Sequence, residues 1–205
     1  MTTIRLNPLD ASWLYTESRE TPMHVGALMP FKLPKNAPPD FLREMMAEFR
    51  THRQFEAPWS RKLKSSILKS PVHYWIEDDE IDLEAHLRHT ALPYPGGERE
   101  LGELIARLHS QPLDLSRPPW ECTLIEGLEG GRFAIYMKMH HSLIDGVSGM
   151  KLLQRLMSAD AEKSLSMPPF WATGLSSRDP ERDTKTPTFA NAMAGAMETL
   201  RGQVG

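Results

Sequence analysis

An α/β domain is the fold class this sequence predicts, and three observations predict it. Two apolar runs, 120–128 and 132–140, are joined by Glu129-Gly130-Gly131, which reads as a β-hairpin. Two other segments, near 41–51 and 98–110, repeat apolar residues at helical spacing. A third helical pattern follows the hairpin directly, from Gly146 to about Ser158. Strands and helices therefore share one stretch of chain instead of falling into separate blocks.

In order, Pro8 and Asp10 precede a short helical pattern, Ala11-Ser12-Trp13-Leu14-Tyr15. Val25 to Leu33 reads as a strand, broken by Pro30 and closed by Pro34. Asp40 is a good N-cap for the next helix, whose apolar face is Phe41, Leu42, Met45, Met46 and Phe49. Residues 59–76 mix basic and aromatic positions and give no clear pattern. Leu83 to His89 is expected to be a strand, and Pro93, Pro95, Gly96 and Gly97 mark a turn. The helix from Glu98 to Ser110 carries Leu101, Leu104, Ile105 and Leu108 on one face. In the last helical pattern Val147, Met150, Leu153, Leu156 and Met157 are apolar.

Composition excludes several function classes. A net charge of −3 gives no basic footprint for nucleic acid. The single cysteine, Cys122, excludes an internal disulfide framework and fits a reducing compartment. No apolar run approaches the roughly 20 residues that span a bilayer, and the N-terminus has no secretory pattern. The expected location is cytoplasmic. After Asp160 the composition shifts to Ser, Pro, Thr, Arg and Asp, with Phe170-Trp171 as the apolar exception. The expected organisation is a domain over 1–160, a linker over 161–187, and a helix over 188–205 that begins a connection to an absent C-terminal domain.

The chemistry concentrates in His140-His141-Ser142-Leu143-Ile144-Asp145-Gly146, where a strand pattern turns into a helix pattern. Successive side chains of a strand face opposite ways, so the two histidines should point to opposite sides. One of them can face a reactive site and the other should serve structure. The same argument keeps the pair from sharing a metal ion, and no third ligand at suitable spacing is present, so no metal is expected. Neutral imidazole is basic enough near pH 7 to act as a general base, with an ordinary value of about 6.5. Asp145, expected to be buried, can cap the following helix, orient an imidazole or pair with an arginine. Gly146 and Gly149 permit close backbone approach. There is no G-x-S-x-G elbow, and Cys122 lies mid-strand as a small apolar residue. Direct transfer to an activated acyl group is therefore favoured over a covalent acyl-enzyme.

The stretch resembles the HHxxxDG motif of the CoA-dependent acyltransferase superfamily, which includes chloramphenicol acetyltransferase and peptide-synthetase condensation domains. Further segments are similar to the bacterial wax ester synthase/acyl-CoA:diacylglycerol acyltransferase family. These are Asn7-Pro8-Leu9-Asp10 with Trp13, Pro22-Met23-His24-Val25-Gly26, Pro112-Leu113-Asp114, Arg117-Pro118-Pro119-Trp120-Glu121, Gly127-Leu128, Gly130-Gly131-Arg132-Phe133-Ala134, and His140 through Gly149. Pro119 departs from the Pro-Leu-Trp more usual there.

The resemblance implies a chloramphenicol acetyltransferase-like domain, a mixed sheet flanked by helices, forming the N-terminal half of a two-domain enzyme. It implies that His141 is the general base and that His140 is structural. Asp145 would orient the loop, and Gly146 would leave room for substrate. Ser142, Gly149 and Trp120 are candidate substrate contacts, with core packing as the competing role of Trp120. The implied substrates are a fatty acyl-CoA and a long-chain fatty alcohol or diacylglycerol. No cofactor is expected, since acyl-CoA is itself a substrate. The alternative is a condensation-type domain using carrier-protein-bound acyl groups; a non-catalytic lipid-binding relative is less consistent with the intact motif. Peripheral contact with a membrane or lipid droplet is expected of an enzyme that handles water-insoluble alcohols. Trp59, Leu63, Ile67 and Leu68, interleaved with Arg61, Lys62, Lys64 and Lys69, are candidates to dock on anionic lipid. A basic rim for the CoA phosphates, or a solvated surface, is the competing role of this segment.

Overall fold

The computed structural model describes residues 3–64 and 72–175. Its two central strands are the predicted hairpin, with the predicted bounds: β6 (Trp120–Leu128) and β7 (Arg132–His140), counted in chain order. Gly130 and Gly131 take φ of 74° and 66°, the left-handed pair that a tight hairpin turn requires. The strands before them are β1 (Thr3–Arg5), β2 (His24–Lys32), β3 (Arg61–Leu63), β4 (Tyr74–Glu77) and β5 (Leu87–Ala91). The helices are α1 (Pro8–Thr16), α2 (Phe41–Thr51), α3 (Leu83–His86), α4 (Glu98–Ser110), α5 (Gly146–Leu156) and α6 (Ala161–Leu165).

Two sheets form. The larger has the order β2-β7-β6-β5, antiparallel except for the parallel β5/β6 pair, which α4 connects. Pro30 does not break β2. It sits within that strand opposite Ala134, and β2 is an edge strand, where a missing N–H costs no ladder bond on the open side. The smaller sheet, β1-β4-β3, was not visible in the sequence pattern. The strand expected over 83–89 is instead one helical turn, α3, running into β5, because the Asp82 carboxylate caps it at Glu84 N–H.

Both faces of β6 and β7 are covered. On one, Ile125, Leu128, Ala134 and Tyr136 pack against Leu101, Leu104, Ile105 and Leu108 of α4. The C-terminal end of α4 is fixed by Lys138, 1% exposed, whose Nζ donates to the carbonyls of Leu108 and Gln111 at 2.9 and 2.8 Å. Those are carbonyls at and just past the end of α4, where a cation is favoured. On the other face Trp120 lies in an aromatic cluster with His86, Phe170 and Trp171.

The chain from 161 to 174 belongs to this packed body, where a linker was expected. Phe170 and Trp171 are buried, and Trp171 donates its indole N–H to the His52 carbonyl. In turn Trp59 donates to Thr173 O at 3.0 Å, and the compact unit ends at Gly174. Two large aromatic rings bury enough apolar area to hold a polar segment in place. The rest of the expected linker, 176–187, and the helix expected over 188–205 lie outside the described residues.

The interfacial role expected of residues 59–69 is corrected by burial. Trp59 and Leu63 are 0% and 3% exposed and face the interior, so neither can enter a lipid headgroup region. Ile67 and Leu68 lie outside the described residues. Asp40 stands at the N-cap of α2, but its carboxylate makes no capping bond and pairs instead with Arg43 at 2.9 Å.

Candidate active site

β7 ends at His140, and the chain turns there with both neighbours holding the backbone. His140 N–H donates to Pro119 O, and His141 N–H donates to Met23 O, each at 2.9 Å. Leu143 N–H closes the turn on His140 O at 3.0 Å. Asp145 then caps α5: its carboxylate accepts from Ser148 N–H at 2.8 Å and Ser148 O–H at 3.1 Å. Asp145 is exposed, not buried as its setting among apolar residues suggested. Of the three roles open to it, helix capping is the one its bonds display.

The two histidines have different surroundings. His140 is fully buried, and Ser142 N–H donates to its Nδ1 at 3.1 Å. A backbone N–H can only donate, so Nδ1 carries no proton, and the Ser142 hydroxyl 2.6 Å away donates to it as well. The ring proton is then on Nε2, which points at the Glu17 carboxylate 3.2 Å away. Burial, and secondarily the neighbouring His141, push His140 down to about 4. The contact with Glu17 is thus a neutral N–H to a carboxylate, not an ion pair. Burial also raises Glu17 above the usual carboxylate range.

Because His140 folds neutral, it ties acid stability to one ring. Its folded value near 4 lies below the ordinary value of about 6.5, so the unfolded chain takes the proton first. Its contribution is complete above pH 6.5 and is lost as pH falls toward 4, amounting to about 3 kcal/mol. His24 and His86, also lowered by burial, act in the same direction, and the raised Glu17 acts against them. Urea unfolding at pH 6.5 and pH 4 should show a markedly smaller acid loss in His140→Gln than in the unaltered chain. An equal loss in both would remove His140 as its source.

His141 is half-buried, and its ring lies flat on the indole of Trp13, with centroids 4.0 Å apart and planes inclined by 15°. Its Nδ1 is buried without a hydrogen-bond partner among the described residues. Trp13 and Glu17 are four residues apart, at the body and C-cap of α1, so one side of that helix meets both histidines. Asn7 caps α1 by accepting from Asp10 N–H at 2.8 Å, and Pro8 opens its first turn. Sequence reasoning did not find Glu17. The only signal it left was its spacing from Trp13.

The other candidates divide. Ser142 is buried against His140, and it borders a cavity of about 220 Å³ that Arg5, Asn7, Asp10 and Arg61 also line. A Cβ at Gly146 would meet nothing within 4 Å, and one at Gly149 would make only an ordinary contact with Ile144. Nothing in the described chain therefore requires glycine at 146 for space. Trp120, 1% exposed, is placed in the aromatic core, stacked on His86 at 4.3 Å. Cys122 is buried, which pushes its thiol up to about 12 and leaves no thiolate for nucleophilic work. Among the described residues no three His, Cys, Asp or Glu side chains converge to hold a metal ion, and no helix is long and apolar enough to cross a membrane.

Comparison with known proteins bears on the family and the fold. The family model of the wax ester synthase/diacylglycerol acyltransferase catalytic domain matches residues 6–205. A putative diacylglycerol O-acyltransferase of Mycobacterium tuberculosis is 50% identical over 193 residues, which are 94% of this chain and 38% of that protein. The O-acyltransferase WSD of Acinetobacter baylyi is 39% identical, over 96% of this chain and 41% of that protein. The chain thus spans about two fifths of the length of these relatives. The solved wax ester synthase/diacylglycerol acyltransferase of Marinobacter aquaeolei VT8 superposes with a TM-score of 0.75 and 42% identity, covering 82% of this chain and 41% of that one. The first condensation domain of the CDA synthetase superposes with a TM-score of 0.55 at 20% identity, covering 75% of this chain and 37% of that one, a likeness of fold alone. The architecture is the chloramphenicol acetyltransferase-like one, and the matched segment is the part that carries the histidine pair. With a family model matching residues 6–205, a relative 50% identical over 94% of the chain and a solved structure 42% identical, the chain belongs to the wax ester synthase/diacylglycerol acyltransferase family.

Proposed function

We propose that this chain is the N-terminal part of an acyl-CoA:alcohol O-acyltransferase making wax esters, triacylglycerol or both, with His141 as general base. The observation that carries the assignment is the contrast between the two rings. His140 is buried and bonded at both nitrogens, whereas no hydrogen bond engages the His141 side chain among the described residues. A base must reach the proton it removes, and of these two rings it is His141 that is free of hydrogen bonds among the described residues, which supports the assignment. Nδ1 is buried, so Nε2 is the nitrogen assigned to the substrate.

In the reaction, the hydroxyl of a long-chain alcohol or diacylglycerol gives its proton to Nε2. Its oxygen electron pair forms the new C–O bond at the thioester carbonyl. The C–S bond breaks, and the departing thiolate takes the proton from the imidazolium, so that ester and free CoA leave and the base is restored. The missing crowding around Gly146 fits a passage for substrate. The groups that stabilise the oxyanion, and the opposite wall of the acyl site, are assigned to a C-terminal domain in the remaining length seen in relatives. Lipid contact is retained in the proposal to supply a water-insoluble acceptor, but without Trp59 and Leu63.

The test is CoA thiol release from palmitoyl-CoA, with and without hexadecanol or diacylglycerol, by the polypeptide expressed at its full encoded length. Release that depends on the acceptor is expected. Transfer only from acyl groups on a carrier protein would replace this reading with a condensation-type one.

A further inference from the structure

A base that becomes a cation during turnover needs something to hold that charge. In many histidine bases the partner is a carboxylate at the far ring nitrogen. Here that place is not filled from the described chain. The His141 Nδ1 is buried and unpartnered, Asp145 is engaged with Ser148 at the start of α5, and Glu17 is turned toward His140. What the ring does meet is the face of Trp13, 4.0 Å away and nearly parallel.

We propose that Trp13 is a positioning residue for acyl transfer, whose indole face orients the His141 ring and stabilises its imidazolium through a cation–π contact. This rests on the reading of His141 as the base. The aromatic face carries the negative part of the ring quadrupole, and indole is the strongest of the three aromatic side chains in this respect. The contact strengthens as the proton arrives, because neutral imidazole has no net charge to attract. It therefore favours the charged state over the resting one, which is the condition for accelerating the step rather than merely binding substrate.

The local fold supports this use. Trp13 is held on a capped, nine-residue helix and not on a loop, so its plane is fixed before substrate arrives. Among the described residues, the titratable groups nearest to His141 in the turn and in α1 are otherwise engaged. His140 precedes it and is kept neutral by burial, Glu17 of α1 lies beyond His140, and Asp145 caps α5 four residues on. From the loop before β2, the Met23 carbonyl binds the His141 backbone. None of these supplies a full negative charge hydrogen-bonded to the ring.

The experiment measures kcat, KM for acyl-CoA and the pH dependence of kcat/KM in four full-length proteins. They are the unaltered enzyme, Trp13→Leu, Trp13→Phe and a protein with ring-fluorinated tryptophan placed at position 13 alone. Fluorination weakens the quadrupole and leaves the shape nearly unchanged, so it decides the matter even where Trp13→Leu fails to fold. Trp13→Leu is expected to lower kcat about tenfold with little change in KM. The acid edge of kcat/KM is expected to move to lower pH, and Trp13→Phe to recover most of the loss. The fluorinated protein should shift the same edge in the same direction. A fluorinated protein with an unmoved pH profile, or a Leu variant changed only in KM, would overturn the proposal and leave Trp13 as packing. His141→Ala is the separate control: if it retains activity, the base assignment itself is wrong, whatever the Trp13 variants do.

Discussion

His141→Ala should lower acceptor-dependent CoA release by about 10³-fold, within the range that general-base catalysis supplies. The fall should appear in kcat, with KM for acyl-CoA little changed, because the lost interaction belongs to the proton in flight and not to acyl binding. Stability should change little. The ring is half-buried, and its main loss is one stacked aromatic contact of about 1 kcal/mol. The measurement is thiol release at saturating acyl-CoA, alongside thermal unfolding of the same protein. His140→Ala provides the contrast. It strands Ser142 N–H, the Ser142 hydroxyl and the Glu17 carboxylate in the interior, so it should unfold the turn before it reports on chemistry. An active His141→Ala would show that the wrong histidine has been chosen.

Trp120→Ala should destabilise the chain by about 4 kcal/mol, the cost typical of deleting a buried tryptophan. The ring is 1% exposed, stacked on Trp171 at 5.5 Å and on His86 at 4.3 Å, with Phe170 edge-on. Its N–H donates to Trp59 O at 2.8 Å, so truncation also leaves a buried carbonyl unpaired. Phe170 and Trp171 would lose their seat, and proteolysis between residues 161 and 174 should accelerate. Trp120→Phe keeps the stack but not the donor and should cost about 1–2 kcal/mol. Urea unfolding of both variants checks this. The kinetics of Trp120→Phe separate packing from substrate contact: an unchanged Tm with a raised KM would restore Trp120 to the substrate site.

The sequence was most readable where structure is local. The hairpin 120–140 and the helices 41–51 and 98–110 follow from turn glycines and periodic apolar residues a few positions apart. The sheet β1-β4-β3 was not readable, since its strands have only three or four residues and β1 pairs with a strand about 70 positions away. Alternation needs more residues than that to stand out. The same division runs through the site. The strand-end position of His140 and His141 and the capping role of Asp145 are consequences of neighbouring residues. The partner that makes His140 structural is 123 residues distant, and Trp13 reaches His141 from the same helix. Asp145 was misread as buried because its apolar neighbours Leu143 and Ile144 turn inward while it faces out. Residues 161–174 have a linker's composition, and two aromatic side chains override it.

His141 hangs by a single peptide from β7, an interior strand zipped to a nine-residue neighbour on either side. Loops other than the Gly130-Gly131 turn can lengthen, shorten or exchange side chains without moving that peptide, because the register of β2, β6 and β7 is held by the ladders and by that turn. On the proposed assignment, the proton acceptor is held in place by these ladders, while the loops around it are free to vary. For anyone redirecting the proposed acyl transfer to a new ester, the loops are the place to cut, and the strand that ends at His140, with His141 just beyond it, is the place to leave alone.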